Sequence, residues 1–182
     1  MHQNDRRYSG DIERLRSEAR MARLDVPSVM QHTLEGITIE SVLDVGTGSG
    51  IFAEAFAGTG LTVCGIDIRE DMLQVAHQFV PSGEFRLGKQ EAIPYPDLAF
   101  DLVFMGLVLH EADNLHIALS EAHRIVTLRT AILEWKYREE DFGPPLDHRM
   151  KPEMIIAVAE EVGFKTITQI ELPHLVLYRL DL

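Results

Sequence analysis

A chain of 182 residues, 46 % apolar and 25 % charged, can bury one full hydrophobic core, so one domain over 1–182 is expected. Its formal net charge of −12 disfavours nucleic acid, because binding to phosphate depends on neutralisation by Lys and Arg. No apolar run approaches the ~20 residues that span a bilayer, and the single Cys64 cannot close an internal disulfide or a thiolate metal cluster. Asp5, Arg6, Arg7 and Asp11 have no apolar run behind them, unlike a secretory signal, so cytoplasmic residence and a small-molecule partner are expected. Oligomeric state is not legible.

Ile12, Leu15, Ala19 and Ala22 fall at helical spacing, which predicts a helix over 11–23. Arg6, Arg7, Arg14, Arg16, Arg20 and Arg23 are interleaved with Glu13, Glu18 and Asp25, the pattern of a solvated amphipathic helix. Pro27 suits the first turn of a second helix, with Val29, Met30 and Leu34 inward and Gly36 ending it. Beyond that, strands and helices alternate. Strands are predicted at 41–45, 61–66, 84–87, 100–105, 130–135, 165–171 and 175–180. Helices are predicted at 51–57, 70–79, 113–126 and 152–162, the third capped by Asp113. Met72, Ala76 and Phe79 share one face of the second. Residues 90–98 form a loop broken by Pro94 and Pro96, and 136–150 are irregular around Gly143-Pro144-Pro145. Within them Arg138, Glu139, Glu140 and Asp141 read as a solvated turn.

Apolar strands alternating with amphipathic helices predict a doubly wound, mostly parallel α/β sheet. Ligands bind at the carboxyl ends of such strands, which directs attention to residues 44–50, 67–68, 88–91, 106–111 and 134–136.

The first of these segments is a glycine loop, Asp44-Val45-Gly46-Thr47-Gly48-Ser49-Gly50. Glycines allow a sharp turn and close approach of a ligand to the backbone. The spacing is G-x-G-x-G; the third glycine of a dinucleotide fingerprint would fall at Ile51. Asp44 at the strand end repels a pyrophosphate and attracts an ammonium, as in an amino-acid moiety. Asp67 lies where an acidic residue can accept from ribose hydroxyls, or cap the following helix. Ile68 and Met72 can offer apolar contacts to a purine.

Strand, D-x-G-x-G-x-G, Gly65-Ile66-Asp67 and the segment 91–103 together resemble the class I S-adenosylmethionine-dependent methyltransferases. The nearest likeness is to the ubiquinone and menaquinone biosynthesis subgroup. The resemblance covers roughly 40–180. It implies a Rossmann-like seven-stranded sheet in the order 3-2-1-4-5-7-6 with strand 7 antiparallel. It also implies S-adenosylmethionine as cofactor. Carried over position by position, Asp44, Gly46, Thr47, Gly48 and Gly50 would hold the methionine end and Asp67 the ribose. Ile68 and Met72 would flank adenine, Gln90 and Glu91 would meet its edge, and Gly106 and Leu107 would lie near the sulfonium. Two departures stand out. Lys89 follows Gly88 where the family has an acid, so the backbone or side chain of Gln90 must serve. Val126-Thr127-Leu128-Arg129-Thr130 also replaces the usual L-K-P-G-G turn.

If the acceptor must lose a proton, a base is needed. His110 is the first candidate, with Glu111, Glu134, Trp135 and His148 also in range of strand ends. His110, Glu111, Asp113 and His116 do not match H-E-x-x-H, and no metal is expected. Residues 105–109 lack the N/D-P-P-Y/F motif of relatives that methylate nitrogen, which favours oxygen or carbon acceptors. Residues 1–36 are expected to form a helical cap over the site. A domain that binds the cofactor without turnover is the alternative. A nicotinamide-dependent oxidoreductase is disfavoured by the loop spacing and Asp44.

Overall fold

A computed structural model describes Arg7, Gly10 and residues 12–182. Asp5, Arg6, Asp11 and the start of the expected cap lie outside the described residues. Seven strands, β1 (Ser41–Val45), β2 (Thr62–Asp67), β3 (Glu84–Leu87), β4 (Phe100–Gly106), β5 (Val126–Trp135), β6 (Thr166–Glu171) and β7 (Leu175–Asp181), form one sheet. Its order is β3-β2-β1-β4-β5-β7-β6, as the family resemblance implies. Strands β1 to β5 run parallel, and β7 is antiparallel to both β5 and β6. Only residues 172–174 join β6 to β7, too few for a parallel crossover, so that pair closes as a hairpin.

Among the described residues seven α-helices flank the sheet: α1 (Ile12–Leu15), α2 (Glu18–Leu24), α3 (Val26–Leu34), α4 (Ile51–Gly58), α5 (Glu70–Phe79), α6 (Leu115–Ile125) and α7 (Pro152–Val162). Successive side chains of β1 face opposite ways, and the two cores follow from this. Leu43 and Val45 pack with Leu119 and Ala122 of α6 and Ile155 of α7. Val42 packs on the other face with Met30 of α3 and Phe56 of α4. Phe56 meets Phe104 of β4 edge-on at 5.3 Å, and both are fully buried. Burial of each ring stabilises the fold by roughly 1.5–3 kcal/mol.

Four expectations are corrected. The single helix over 11–23 is two, α1 and α2, and it buries Leu15 and Leu24 rather than the two alanines. Methyl groups remove too little area from water to orient a helix against two leucines. The cap of α6 is Asn114, whose Oδ1 accepts from the Ile117 amide at 3.0 Å; Asp113 pairs with Arg7. Strand β5 begins at Val126, directly after α6, so the missing L-K-P-G-G turn has no loop to occupy. Its early residues are fixed by Arg129, which donates to Asp181 and to the Thr33 and Glu35 carbonyls. Finally, Glu140 is no solvated turn residue. Arg138, Arg149 and His174 all converge on its carboxylate, and its side chain is nearly buried.

Phe79 is 44 % exposed at the end of α5, while Met72 and Ala76 are buried. Its ring instead lies under the guanidinium of Arg16, 3.4 Å from ring centre to Cζ.

Candidate functional site

A cavity of about 520 Å³ opens at the carboxyl ends of β1, β2, β4 and β5. It brings together Asp44, Gly46, Thr47, Gly48, Asp67, Ile68, Met72, Gln90, Glu91, Gly106, Leu107 and His110. Gly50 is the exception. It begins α4 with φ 77°, and a Cβ there would stand 2.9 Å from Ala76 of α5. Its role is to let two helices approach, not to face a ligand.

Asp44 alternates toward the α4 side of the sheet and is only 2 % exposed. Its Oδ2 accepts from Thr47 Oγ1 at 2.8 Å. Burial pushes its carboxyl up to about 7, outweighing the hydrogen bonds from Thr47 and the Ala53 amide, which favour the charged form. A buried carboxyl poised near neutrality matches a cationic ligand group, whose arrival would favour ionisation.

Asp67 ends β2 and is tied to the loop. Its Oδ2 accepts from the Gly48 amide and its Oδ1 from the Arg69 amide, each at 2.9 Å. Asp67 thus ties the glycine loop to the residue before α5, and the cap position itself is Arg69, without a side-chain cap bond. Each carboxylate oxygen keeps lone-pair capacity for a further donor. Burial raises this carboxyl too, against those amides. Gly48 has φ 52°, and the nearest atom to a Cβ there would be Leu15 Cδ1 at 3.7 Å. The backbone at Gly48 is thus open to a close ligand, under the side chain of Leu15.

Ile68 is 45 % exposed at the cavity edge, whereas Met72 is buried beneath it. Gln90 donates through Nε2 to the Val108 carbonyl at 3.0 Å. Its Oε1 is buried with no hydrogen-bond partner among the described residues. An orphaned buried acceptor costs roughly 1–3 kcal/mol, which a donor such as an adenine amino group would recover. The residues therefore fit the cofactor that the family resemblance implies, and Gln90 Oε1 offers an acceptor beside Lys89, where the family's acid is absent. Glu91 is committed partly to the Asp113 amide, which donates to it at 2.6 Å. Leu107 has φ 58°, an uncommon conformation for a leucine. Its amide donates to the Leu133 carbonyl at 2.8 Å, which holds the turn after β4.

Opposite the acidic wall, His110 and Glu134 form a buried pair, 6 % and 1 % exposed. The ring Nδ1 lies 2.9 and 3.1 Å from the two Glu134 oxygens, and the His110 amide donates to Oε1 at 3.0 Å. These donors suit an ionised carboxylate, which only accepts. With Nδ1–H donating, Nε2 carries the basic lone pair. Both residues are visible in sequence as candidates. Their pairing is not, because β4 and β5 are brought side by side only by the sheet.

The rest of the lining comes from segments without a readable motif. Arg14, Leu15, Arg20, Arg23 and Leu24 contribute from α1 and α2, and Trp135, Phe142, Pro144, Pro145 and His148 from β5 and the loop beyond. The signal for the arginines was their number near the N-terminus; the helical pattern could not say which way they point.

Sheet order, glycine loop and acidic strand ends are those the resemblance to the class I methyltransferases implies, and comparison with known proteins agrees. Residues 43–129 match the family model described as a methyltransferase domain. Over those residues and in its fold the chain is similar to S-adenosylmethionine-dependent methyltransferases. Among solved structures it is similar to a SAM-dependent methyltransferase from Aquifex aeolicus, at 26 % identity and a TM-score of 0.82. That match covers 93 % of this chain and 96 % of the other. It is 36 % identical over 86 residues to the malonyl-[acyl-carrier protein] O-methyltransferase of Serratia marcescens, covering 47 % of this chain and 34 % of that protein. It is 30 % identical over 105 residues to the demethylmenaquinone methyltransferase of Renibacterium salmoninarum, covering 58 % and 44 %. The chain thus spans about a third to a half of the length of the curated relatives it matches. No helix among the described residues is long and apolar enough to cross a membrane.

Proposed function

We propose that this chain is an enzyme that transfers the methyl group of S-adenosylmethionine to oxygen or carbon of a small-molecule acceptor in the cytoplasm. One observation carries the reading. A single cavity brings together Asp44, Asp67, Gln90, whose Oε1 has no hydrogen-bond partner among the described residues, and His110, whose ring is held from behind by Glu134. Asp44 takes the ammonium of the methionine end, Asp67 the ribose hydroxyls, and Gln90 the adenine amino group. Gly46, Thr47 and Gly48 pass beneath, with Ile68 and Met72 beside the purine. Gly106 and Leu107 line the path to the acceptor, and Glu91 closes the adenine side. Gly50 supports the loop from behind.

When bound, the cofactor supplies an activated methyl group, so positioning and exclusion of water provide much of the rate. His110 Nε2 removes the acceptor proton as the new bond forms. Glu134 acts as a positioning residue: it fixes the tautomer and balances the positive ring. The described part of 1–36 serves as a cap. Arg16 anchors it by donating to the Ser49 carbonyl at 2.7 Å and to Glu54 at 2.8 Å.

Calorimetry with S-adenosylhomocysteine and with NAD tests the reading. The expected result is binding of the first only; its failure to bind sinks the proposal. A binding protein without turnover would bind it and leave His110→Ala without consequence in any methyl-transfer assay.

A further inference from the structure

A second cavity, of about 320 Å³, lies beside the first. His110 and His148 line both, so the two cavities meet at those side chains. Strand alternation fixes which side of the sheet the second one occupies. Leu109 and Leu115, which line it, pack in the core that holds Leu43 and Val45 against α6 and α7. Glu134, which holds His110, lies two residues from Ile132 of that same core and therefore shares its face of β5. Asp44 lies between Leu43 and Val45 on β1 and faces the other way.

The wall of this cavity is held in place before any ligand arrives. The Arg149 side chain is only 1 % exposed. Its Nε donates to the Pro144 carbonyl at 2.9 Å, Nη1 to the Lys136 carbonyl and to Glu140 at 3.0 Å each, and Nη2 to the Phe142 carbonyl at 2.6 Å. These bonds fix the segment 136–149 and commit the guanidinium to the loop. What remains of the lining is mostly apolar: Leu109, Leu115, Tyr137, Leu146, Met150 and Met154. The charged groups there are Asp113, which pairs with Arg7, and Asp147 and Lys151, which are exposed. Lys151 Nζ lies 5.4 Å from the centre of the Tyr137 ring. Met154 is 52 % exposed where it lines the cavity. Methionine is unbranched and polarizable, so Met150 and Met154 suit an apolar ligand of irregular shape.

We infer that the second cavity is the acceptor site, and that it takes a small molecule with an uncharged apolar body. That body sits between Leu146 and Met154, and the reacting oxygen or carbon projects past His110 toward the cofactor. The inference rests on the reading of the first cavity as a methyltransferase site, and it names the side from which the acceptor comes. Asp44, Asp67 and Gln90 commit the first cavity to the cofactor, and His110 stands where the two spaces join. A volume of about 320 Å³ lies within the range that small-molecule sites occupy.

The test uses the whole chain, isotope-labelled at its methionine methyl groups and followed by NMR, with each signal assigned by replacing that methionine. S-adenosylhomocysteine is added to saturation, then α-naphthol as an apolar hydroxyl probe, with inositol as its polar control. The methionines report separately: Met72 lines the cofactor cavity, Met150 and Met154 the second cavity, and Met21 belongs to α2 on the other side of the sheet. S-adenosylhomocysteine should move the Met72 signal. α-Naphthol should then move Met150 and Met154 and leave Met21 in place, and inositol should move none of them. Met154→Trp narrows the second cavity and should weaken α-naphthol at least about tenfold, with S-adenosylhomocysteine bound as in the unaltered chain. Leu128→Trp, at a 41 % exposed position near the opposite end of β5, should leave both affinities unchanged.

Four results overturn the inference: α-naphthol moves no signal at millimolar concentration, it moves Met21 instead of Met150 and Met154, inositol binds as well as it does, or Met154→Trp keeps the full affinity. A folded Met154→Trp chain that loses S-adenosylhomocysteine assigns the second cavity to the cofactor and also overturns it. If that variant unfolds, the methionine signals of the unaltered chain decide. Failure of S-adenosylhomocysteine to bind the unaltered chain is a different outcome and falls on the underlying reading.

Discussion

Asp44 makes cofactor binding depend on pH in a direction that its burial dictates. Its carboxyl is pushed up to about 7 in the ligand-free chain, so much of it is neutral at pH 6. A bound ammonium favours the ionised form, and binding therefore releases a proton. With a value near 7, the ionised fraction is about 0.03 at pH 5.5 and about 0.76 at pH 7.5. Affinity for S-adenosylhomocysteine should rise roughly 25-fold across that interval, about 1.9 kcal/mol. The assay is calorimetry in two buffers of different ionisation enthalpy, which counts the protons released. Asp44→Asn keeps the shape and removes the charge. It should flatten the pH dependence and weaken binding at pH 7.5 by about tenfold or more, the scale of a hydrogen bond to a charged group. Stability supplies a second readout of opposite sign. The folded carboxyl holds its proton to higher pH than the unfolded one, at 3.8. Without ligand, the group therefore lowers stability as pH rises from about 4 to about 7, by on the order of 4 kcal/mol in full. The difference between the parent chain and Asp44→Asn should grow over that range. A flat affinity with no proton release would refute the argument that burial controls this carboxyl.

Glu134→Gln should leave cofactor affinity unchanged, lower kcat about 10- to 100-fold on an identified acceptor and shift the acid limb of the pH–rate profile. A merely structural loss would move stability and leave the profile in place. Arg16→Ala removes the bonds to Ser49 and Glu54 and the contact with Phe79. Amide exchange over residues 18–24 should accelerate, and S-adenosylhomocysteine should bind several-fold more weakly; unchanged exchange counts against the anchor. Gly50→Ala forces a Cβ to 2.9 Å from Ala76 at φ 77°. It should cost about 1–3 kcal/mol in chemical denaturation, and a loss under 0.5 kcal/mol would show that α5 yields easily. The Glu140 carboxyl is drawn down to about 2: burial acts to raise it, but His174, Arg138 and Arg149 prevail. Its folded value lies below the ordinary 4.5, so its stabilisation is present above about 4.5 and lost as pH falls toward 2. Acid titration of Glu140→Gln against the parent should show that difference closing below pH 4.

The cofactor half of the site was legible because its information is local. Asp44 to Gly48 is a contiguous strand end and turn, and Asp67 ends the next strand, so period and turn chemistry place them without tertiary knowledge. The sheet order needed more, the family likeness, since spacing alone does not say that β4 inserts beside β1. Boundaries failed where a tertiary contact competed with a local signal. Asp113 and Asn114 are both good caps. Asn114 has the bond to Ile117, while Asp113 lies against Arg7, far away in sequence. Glu140 looked solvated among its charged neighbours, yet two of its three partners, Arg149 and His174, come from later segments.

The acceptor half stayed hidden for the same physical reason. His110 lies in the turn after β4 and Glu134 on β5, and Arg23 meets Phe142 across most of the chain. An arginine on a helix with interleaved acids reads as solvated, because the acids can screen it in the isolated helix. Leu15 and Leu24 are buried, and Leu24 lies four residues from Arg20, so one face of α2 carries both an apolar anchor and an arginine at the cavity. The orientation of a short helix over a site is thus decided by where its leucines find a buried partner, a tertiary choice that the local charge pattern does not record. Leu24→Ser should then do more than destabilise. Provided the sheet stays folded, it should loosen α2 over the cavity and accelerate amide exchange at residues 18–24, whereas unchanged exchange would show that α2 is held by something other than Leu24.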